Sequence, residues 1–260
     1  KPTTEGQQLQ KIRGLIYKNS AERKKNMASA SELIYAPKKS TKDWIRFCAL
    51  GGFREVGRSC ILVETANSKV LLDCGINPAK KSDEYPMLET LGFPLDELNA
   101  VVISHAHTDH AAFVPYLYRM GYNGPVYCTP PTRDLMVVLQ EDYLNVAAKE
   151  GNNAIYVEQD IIQMLKHVIT REYGEVTDIA PDIRLTFHNA AHILGSASVH
   201  LHIGDGAHNL MYSADIKYGF TRMFNNLDEK YPRLETLILE STYGGPNDIM
   251  PPRNIAEDRL

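Results

Sequence analysis

Between residues 105 and 110 the chain carries His105, His107, Asp109 and His110, three histidines and an aspartate at the spacing H-x-H-x-D-H. Neutral imidazole and carboxylate are the ligands zinc takes when thiols are absent. A stray histidine is more often structural than a ligand. Four ligand-type side chains at this spacing point instead to metal, and the pattern suits a pair of ions. His105 and His107 flank one ion, while Asp109 and His110 reach the other. An apolar stretch, residues 101–104, leads into the run and a helical pattern follows it. A strand-to-helix loop of this kind lets several side chains converge while a rigid scaffold holds them.

Two ions need more donors than this run supplies. His192 sits in a Gly- and Ala-rich turn, residues 189–195, after a strand-like run, and Asp215 ends another, residues 210–215. Strand-end loops gather at one edge of a sandwich, which gives His105, His107 and His192 to the first metal, Asp109 and His110 to the second, and Asp215 as a bridge. Asp73 ends the apolar run 70–72 and is either structural or a group that orients a metal-bound histidine. Glu240 ends the run 237–239 with the same two readings, and stands beside Asp109 as a catalytic candidate. His200 and His202 alternate along one strand and share a polar sheet face. His188 is a structural or supporting residue, and His167 and His208 read as surface.

The elements that must position these groups are short. Residues 45–50, 60–65, 70–73, 101–104 and 126–128 are β-branched or apolar runs separated by turn signals, as expected of strands. Helical spacing covers 111–120 and closes at Gly121. Thr129 caps, and Pro130 and Pro131 lead, a helix to about residue 148. A second covers about 159–167. Strands return at 184–187, 198–203, 209–213 and 236–239. This order predicts an α/β (α+β) domain with two sheets. Residues 1–43 are polar and lysine-rich, and are expected to form a linker or arm with a helical patch near 9–17.

The 260 residues are 43% hydrophobic and 23% charged, which excludes a mainly disordered chain or a collagen-like repeat. No run approaches the roughly 18 uncharged apolar residues of a membrane helix, and the first apolar pair lies among Lys and Arg, unlike a signal peptide. The net charge of −4 argues against a globally basic nucleic-acid binder. Residues 1–47, however, carry eleven Lys or Arg against four Asp or Glu, so attraction for phosphate is concentrated there, unless the arm is only a solvated linker. Cys48, Cys60, Cys74 and Cys128 lack C-x-x-C spacing and read as buried reduced thiols of a cytoplasmic protein, not as a zinc motif.

In order and spacing Asp73, His105-x-His107-x-Asp109-His110, His192 and Asp215 resemble the motifs of metallo-β-lactamase-fold hydrolases. Glu240 in LESTY, residues 239–243, looks like the acidic motif that opens the β-CASP insertion of the nucleic-acid-processing branch. Residues 49–60 (ALGGFREVGRSC), 124–135 (GPVYCTPPTRDL) and 178–185 (DIAPDIRL) resemble the archaeal homologues of the cleavage and polyadenylation specificity factor, metal-dependent ribonucleases in which KH domains precede the lactamase domain. The resemblance implies a metallo-β-lactamase αββα sandwich interrupted before the β-CASP insertion. It divides the chain into a connection from a KH region (1–43), the first part of the lactamase domain (44–245) and the start of the β-CASP domain (246–260). It further implies two zinc ions sharing a hydroxide that attacks an RNA phosphodiester in line, with Asp109 both binding the second metal and orienting or deprotonating the water. Cleavage of single-stranded RNA within the strand, with 5′–3′ trimming as a further mode, in 3′-end processing and transcription termination is the implied activity, and a homodimer the implied assembly. The leaving-group acid and a terminal histidine for the second metal belong to the β-CASP part and beyond, so these residues alone are expected to hold metal incompletely and cut poorly.

The chain departs from that pattern at Ala112, Ala191 and Ala214, where the family usually has glycine beside the ligands. Two alternatives therefore stand beside the ribonuclease: an RNA-binding scaffold with weakened catalysis, and a small-molecule metallohydrolase such as a thioesterase or lactonase. Glu240 and residues 242–246 lead away from a compact lactamase ending and count against the second.

Overall fold

A computed structural model describes residues 4–18, 20–41, 44–80, 82–219, 222–231, 233–249, 255 and 258. Most of the segment 250–260, expected to continue the opening of a second domain, lies outside them.

Six strands form the first sheet in chain order: β1 (Ile45–Gly51), β2 (Cys60–Thr65), β3 (Lys69–Leu72), β4 (Ala100–Val102), β5 (Val126–Cys128) and β6 (Val168–Thr170). The first three are antiparallel and β3 to β6 run parallel. The second sheet comprises β7 (Thr177–Ala180), β8 (Ile183–Asn189), β9 (Ala197–Ile203), β10 (His208–Tyr212) and β11 (Thr236–Ile238), in the order β11-β10-β9-β8-β7. Alternation along the strands builds two cores. Ile61, Val63, Val70 and Leu72 meet Leu185, Phe187, Val199 and Leu201 between the sheets. Their neighbours Cys60, Leu62 and Leu71 face the helices.

Those helices are α1 (Thr4–Lys18), α2 (Ser20–Ile34), α3 (Thr108–Ala111), α4 (Val114–Arg119), α5 (Pro130–Glu150) and α6 (Glu158–Leu165). The α/β class with two sheets is as expected. Among the described residues the layers are helices, sheet and sheet, and the outer face of the second sheet carries no helix. Thr129 caps α5 through its Oγ1, and Gly151 ends it at φ 71° in the left-handed region.

Several boundaries differ from the sequence expectation. The helix expected over 111–120 is broken into α3 and α4, because Pro115 has no N–H and its ring crowds the carbonyl of Ala111. The break lets the Phe113 amide donate to Cys74 O instead, 2.9 Å. The strands β6 and β7 are additional to the sequence expectation: one has three residues, too few to show a period, and the other carries Asp178 within it. The expected arm is two 15-residue helices whose Ile12, Ile16 and Ala30 are buried. Lys11 ties α1 to the domain through Glu141 (2.7 Å) and Glu158 (3.1 Å). All four cysteines are free; Cys60, Cys74 and Cys128 are buried and Cys48 half-buried.

Candidate metal centre

The chain leaves β4 and turns at Ser104 into His105, His107 and then α3, which carries Asp109 and His110. Beside it, the segment after β3 runs against the same backbone. The Cys74 amide donates to His110 O (2.8 Å) and the Ile76 amide to Thr108 O (3.1 Å). Gly75 lies between them with no room for a side chain: a Cβ there would stand 1.8 Å from Asp109 O. Glycine at this position is what allows the two segments to touch.

His192 arrives from the turn after β8, where its amide donates to Ser196 Oγ (3.0 Å), and Asp215 arrives just beyond β10. Ligand atoms of His105, His107, His192 and Asp215 all lie within 4.8 Å of one another. His105 Nε2 is 3.1 Å and His192 Nε2 is 3.2 Å from His107 Nδ1. His192 Nε2 is 3.5 Å from Asp215 Oδ2. Donors about 2 Å from a tetrahedral zinc are about 3.3 Å apart, so three imidazoles and a carboxylate at these separations fit one such ion. On the other side of Asp215, His110 Nε2 lies 3.4 Å from its Oδ1 and 3.6 Å from Asp109 Oδ2. Asp215 thus stands between two groups of donors.

Beneath both groups lies Asp73, fully buried and at φ 57°. Its carboxylate accepts from the Ser104 amide (2.7 Å), Ser104 Oγ (2.7 Å), His110 Nδ1 (2.7 Å) and the Tyr212 hydroxyl (2.9 Å). Ser104 Oγ in turn lies 3.0 Å from His105 Nδ1. With Ser104 donating to Asp73, His105 donates from Nδ1 and turns the lone pair of Nε2 toward the cluster. One carboxylate therefore orients two histidines, one directly and one through a hydroxyl.

Burial, reinforced by His110, His107 and His192, holds the His105 imidazole well below its ordinary pKa, so it is neutral and ready to bind metal. Burial likewise lowers His192, although Asp215 opposes it. For His110 burial also opposes the charge, but Asp73 and Asp215 outweigh it and push the group up to about 10. Asp215 is lowered, because His110 overcomes the cost of burying its carboxylate.

Other candidates fall elsewhere. Glu240 lines the cleft that also holds Asp109, His110 and Asp215, but its carboxylate accepts from the Thr242 amide (2.9 Å) and closes a turn after β11. His188, His200 and His202 lie on the outer face of the second sheet, with the His200 and His202 ring centroids 4.1 Å apart and the rings tilted by 39°. His188 Nε2 meets His200 Nδ1 (3.3 Å), away from the metal-binding group. His167 and His208, read as surface, are half-buried and partnered, by Gln163 O (2.9 Å) and Thr236 Oγ1 (2.9 Å). Of the three alanines, Ala191 (φ 55°) and Ala214 (φ 48°) occupy the left-handed region, whereas Ala112 (φ −72°) is an ordinary helical residue. Ser104 and Tyr212 are the supporting residues that sequence reasoning passed over. Ser104 opens the histidine run, a signal that could have found it; Tyr212 sits inside a strand with no local signal.

The match to known proteins follows the same residues. Residues 54–252 fit the family model of the Metallo-beta-lactamase superfamily. The chain is 52% identical over its whole length to the protein of Methanothermobacter thermautotrophicus named transcription termination factor FttA, and 48% identical to the protein of that name from Methanosarcina mazei. It spans 41% of the length of each. Among solved structures, the metallo-beta-lactamase fold protein YhfI of Bacillus subtilis overlaps 70% of this chain and 66% of its own at 19% identity and a TM-score of 0.44. The residues that build the cluster lie inside the region the family model covers, and the chain belongs to the metallo-beta-lactamase superfamily.

Proposed function

We propose that this chain is the metal-binding part of a zinc-dependent ribonuclease that cleaves single-stranded RNA in transcription termination and RNA 3′-end processing. The observation that carries the proposal is the placement of Asp215 between two groups of donors, in a chain similar throughout to proteins named for transcription termination. His105, His107 and His192 would hold one zinc, Asp109 and His110 a second, and Asp215 would contribute to both. Bound there, two zinc ions supply charge neutralisation at the phosphoryl oxygens and make water acidic enough to ionise near neutral pH. Asp109 orients the attacking water and accepts its proton at a carboxylate oxygen. Asp73 and Ser104 keep His110 and His105 in the tautomers that leave Nε2 free for metal. The protein works in the cytoplasm, cuts within the strand with 5′–3′ trimming as a second mode, and is a homodimer in its full natural length.

A second reading, an RNA-binding scaffold of the same family, draws on Ala191 and Ala214, whose left-handed backbone beside the ligands strains the site. One experiment separates the two. Labelled single-stranded RNA is given to the zinc-loaded full natural chain. Internal cleavage products support the ribonuclease; tight binding with the strand left intact supports the scaffold.

A further inference from the structure

The connection between β1 and β2, residues 52–59, forms one wall of the cleft that holds Asp109, His110 and Asp215. It is tightly braced. The Glu55 carboxylate accepts from the Gly52 amide (3.4 Å), Arg58 Nε (2.7 Å) and Lys80 Nζ (2.6 Å). Asn77 Nδ2 donates to Val56 O (2.7 Å), and the Ser59 amide donates to Asp109 O (2.8 Å), which fastens the loop directly to a metal-ligating residue. Gly57 turns at φ 104° with the Asn77 side chain packed where a Cβ would be. Arg54 (φ 58°) and Arg58 (φ 45°) also occupy the left-handed region, each against the steric preference of a residue with a side chain. Strain kept in a braced cleft loop calls for a function.

What the loop displays suggests one. Arg58 is tied down by Glu55 and by Tyr85 O (3.1 Å). Arg54 is exposed and makes no hydrogen bond or ion pair among the described residues. Next to it Phe53 is 50% exposed, and both line the cleft. An aromatic face stacks on any nucleobase, and a guanidinium grips phosphate through paired N–H donors.

We propose that Phe53 and Arg54 bind one nucleotide of the RNA, Phe53 stacking on the base and Arg54 holding a phosphate, so that the loop sets which phosphodiester faces Asp109. This rests on the ribonuclease reading. Because Ser59 joins the loop to Asp109, the nucleotide is held at a fixed distance from the chemistry.

The test uses the zinc-loaded full natural chain and two labelled strands of about ten nucleotides, one of ordinary RNA and one abasic with the same phosphates. Phe53→Ala is expected to weaken binding of the RNA roughly 5- to 100-fold and of the abasic strand by less than about twofold. Arg54→Gln is expected to weaken both alike and to lower the salt slope of binding by about 0.7. Equal loss on the two strands with Phe53→Ala, or no loss on either, overturns the proposal. Discrimination between the strands without cutting by the wild-type protein supports the loop and sinks the ribonuclease; cutting without discrimination does the reverse.

Discussion

Asp73 Oδ2 accepts from His110 Nδ1 at 2.7 Å, and this contact decides which nitrogen of His110 faces Asp215. The same carboxylate reaches His105 through Ser104. Replacing Asp73 by Asn leaves one acceptor oxygen for four donors and sets an NH2 against the others, so both rings lose their fixed orientation and zinc affinity is expected to fall roughly 10- to 100-fold. Titration against a competing chelator measures this directly. An affinity equal to wild type contradicts the orienting role.

Gly75 gives a second, steric prediction. A methyl group there lies 1.8 Å from Asp109 O, so the segment bearing Asp109 and His110 must move. Gly75→Ala is expected to destabilise the fold by about 3 kcal/mol and to reduce bound zinc. Denaturant unfolding and metal analysis read the two effects separately.

The three alanines beside the histidine–aspartate cluster are expected to respond with different signs. Ala191→Gly relieves a left-handed conformation and should stabilise the protein by about 1 kcal/mol. Ala214→Gly should gain less, because its methyl group packs in the core between the sheets. Ala112→Gly should lose about 1–2 kcal/mol, since its backbone is already helical, glycine adds unfolded-state freedom, and its methyl group packs in the core beneath the helices. Unfolding midpoints of the three variants, measured side by side, check the order; equal shifts contradict it.

His200 predicts a pH effect away from the His105–Asp215 cluster. Burial, with repulsion from His202 and His188, depresses it to about 4, while in the unfolded chain it keeps its ordinary 6.5. Between those values the unfolded state holds a proton that the folded state does not, so stability falls as pH drops from about 6.5 toward 4. His200→Gln is expected to make that fall shallower in chemical unfolding followed from pH 7 to 4. His188, also depressed by burial, keeps the slope from vanishing.

Much of the centre was legible because its donors are local. His105, His107, Asp109 and His110 declare themselves by spacing, and His192, Asp215 and Asp73 by standing at strand ends. What supports them was hidden by distance along the chain. Tyr212 meets Asp73 across 139 residues, and nothing near Tyr212 announces the partner. Gly75 looks like any loop glycine until Asp109 O is found against it. Pro115 could have announced the break between α3 and α4, but the apolar spacing of Phe113, Leu117 and Met120 masked it. In α2 the few apolar residues gave no period to read, and its buried Ala30 is too small to stand out.

The central claim is that Asp109 serves both metal and water at this site. Zinc-loaded full natural chain and its Asp109→Ala variant are incubated with the same end-labelled single-stranded RNA. The wild-type protein is expected to cut it, and the variant to cut at least ~100-fold more slowly. Equal cleavage by the two proteins contradicts the assignment.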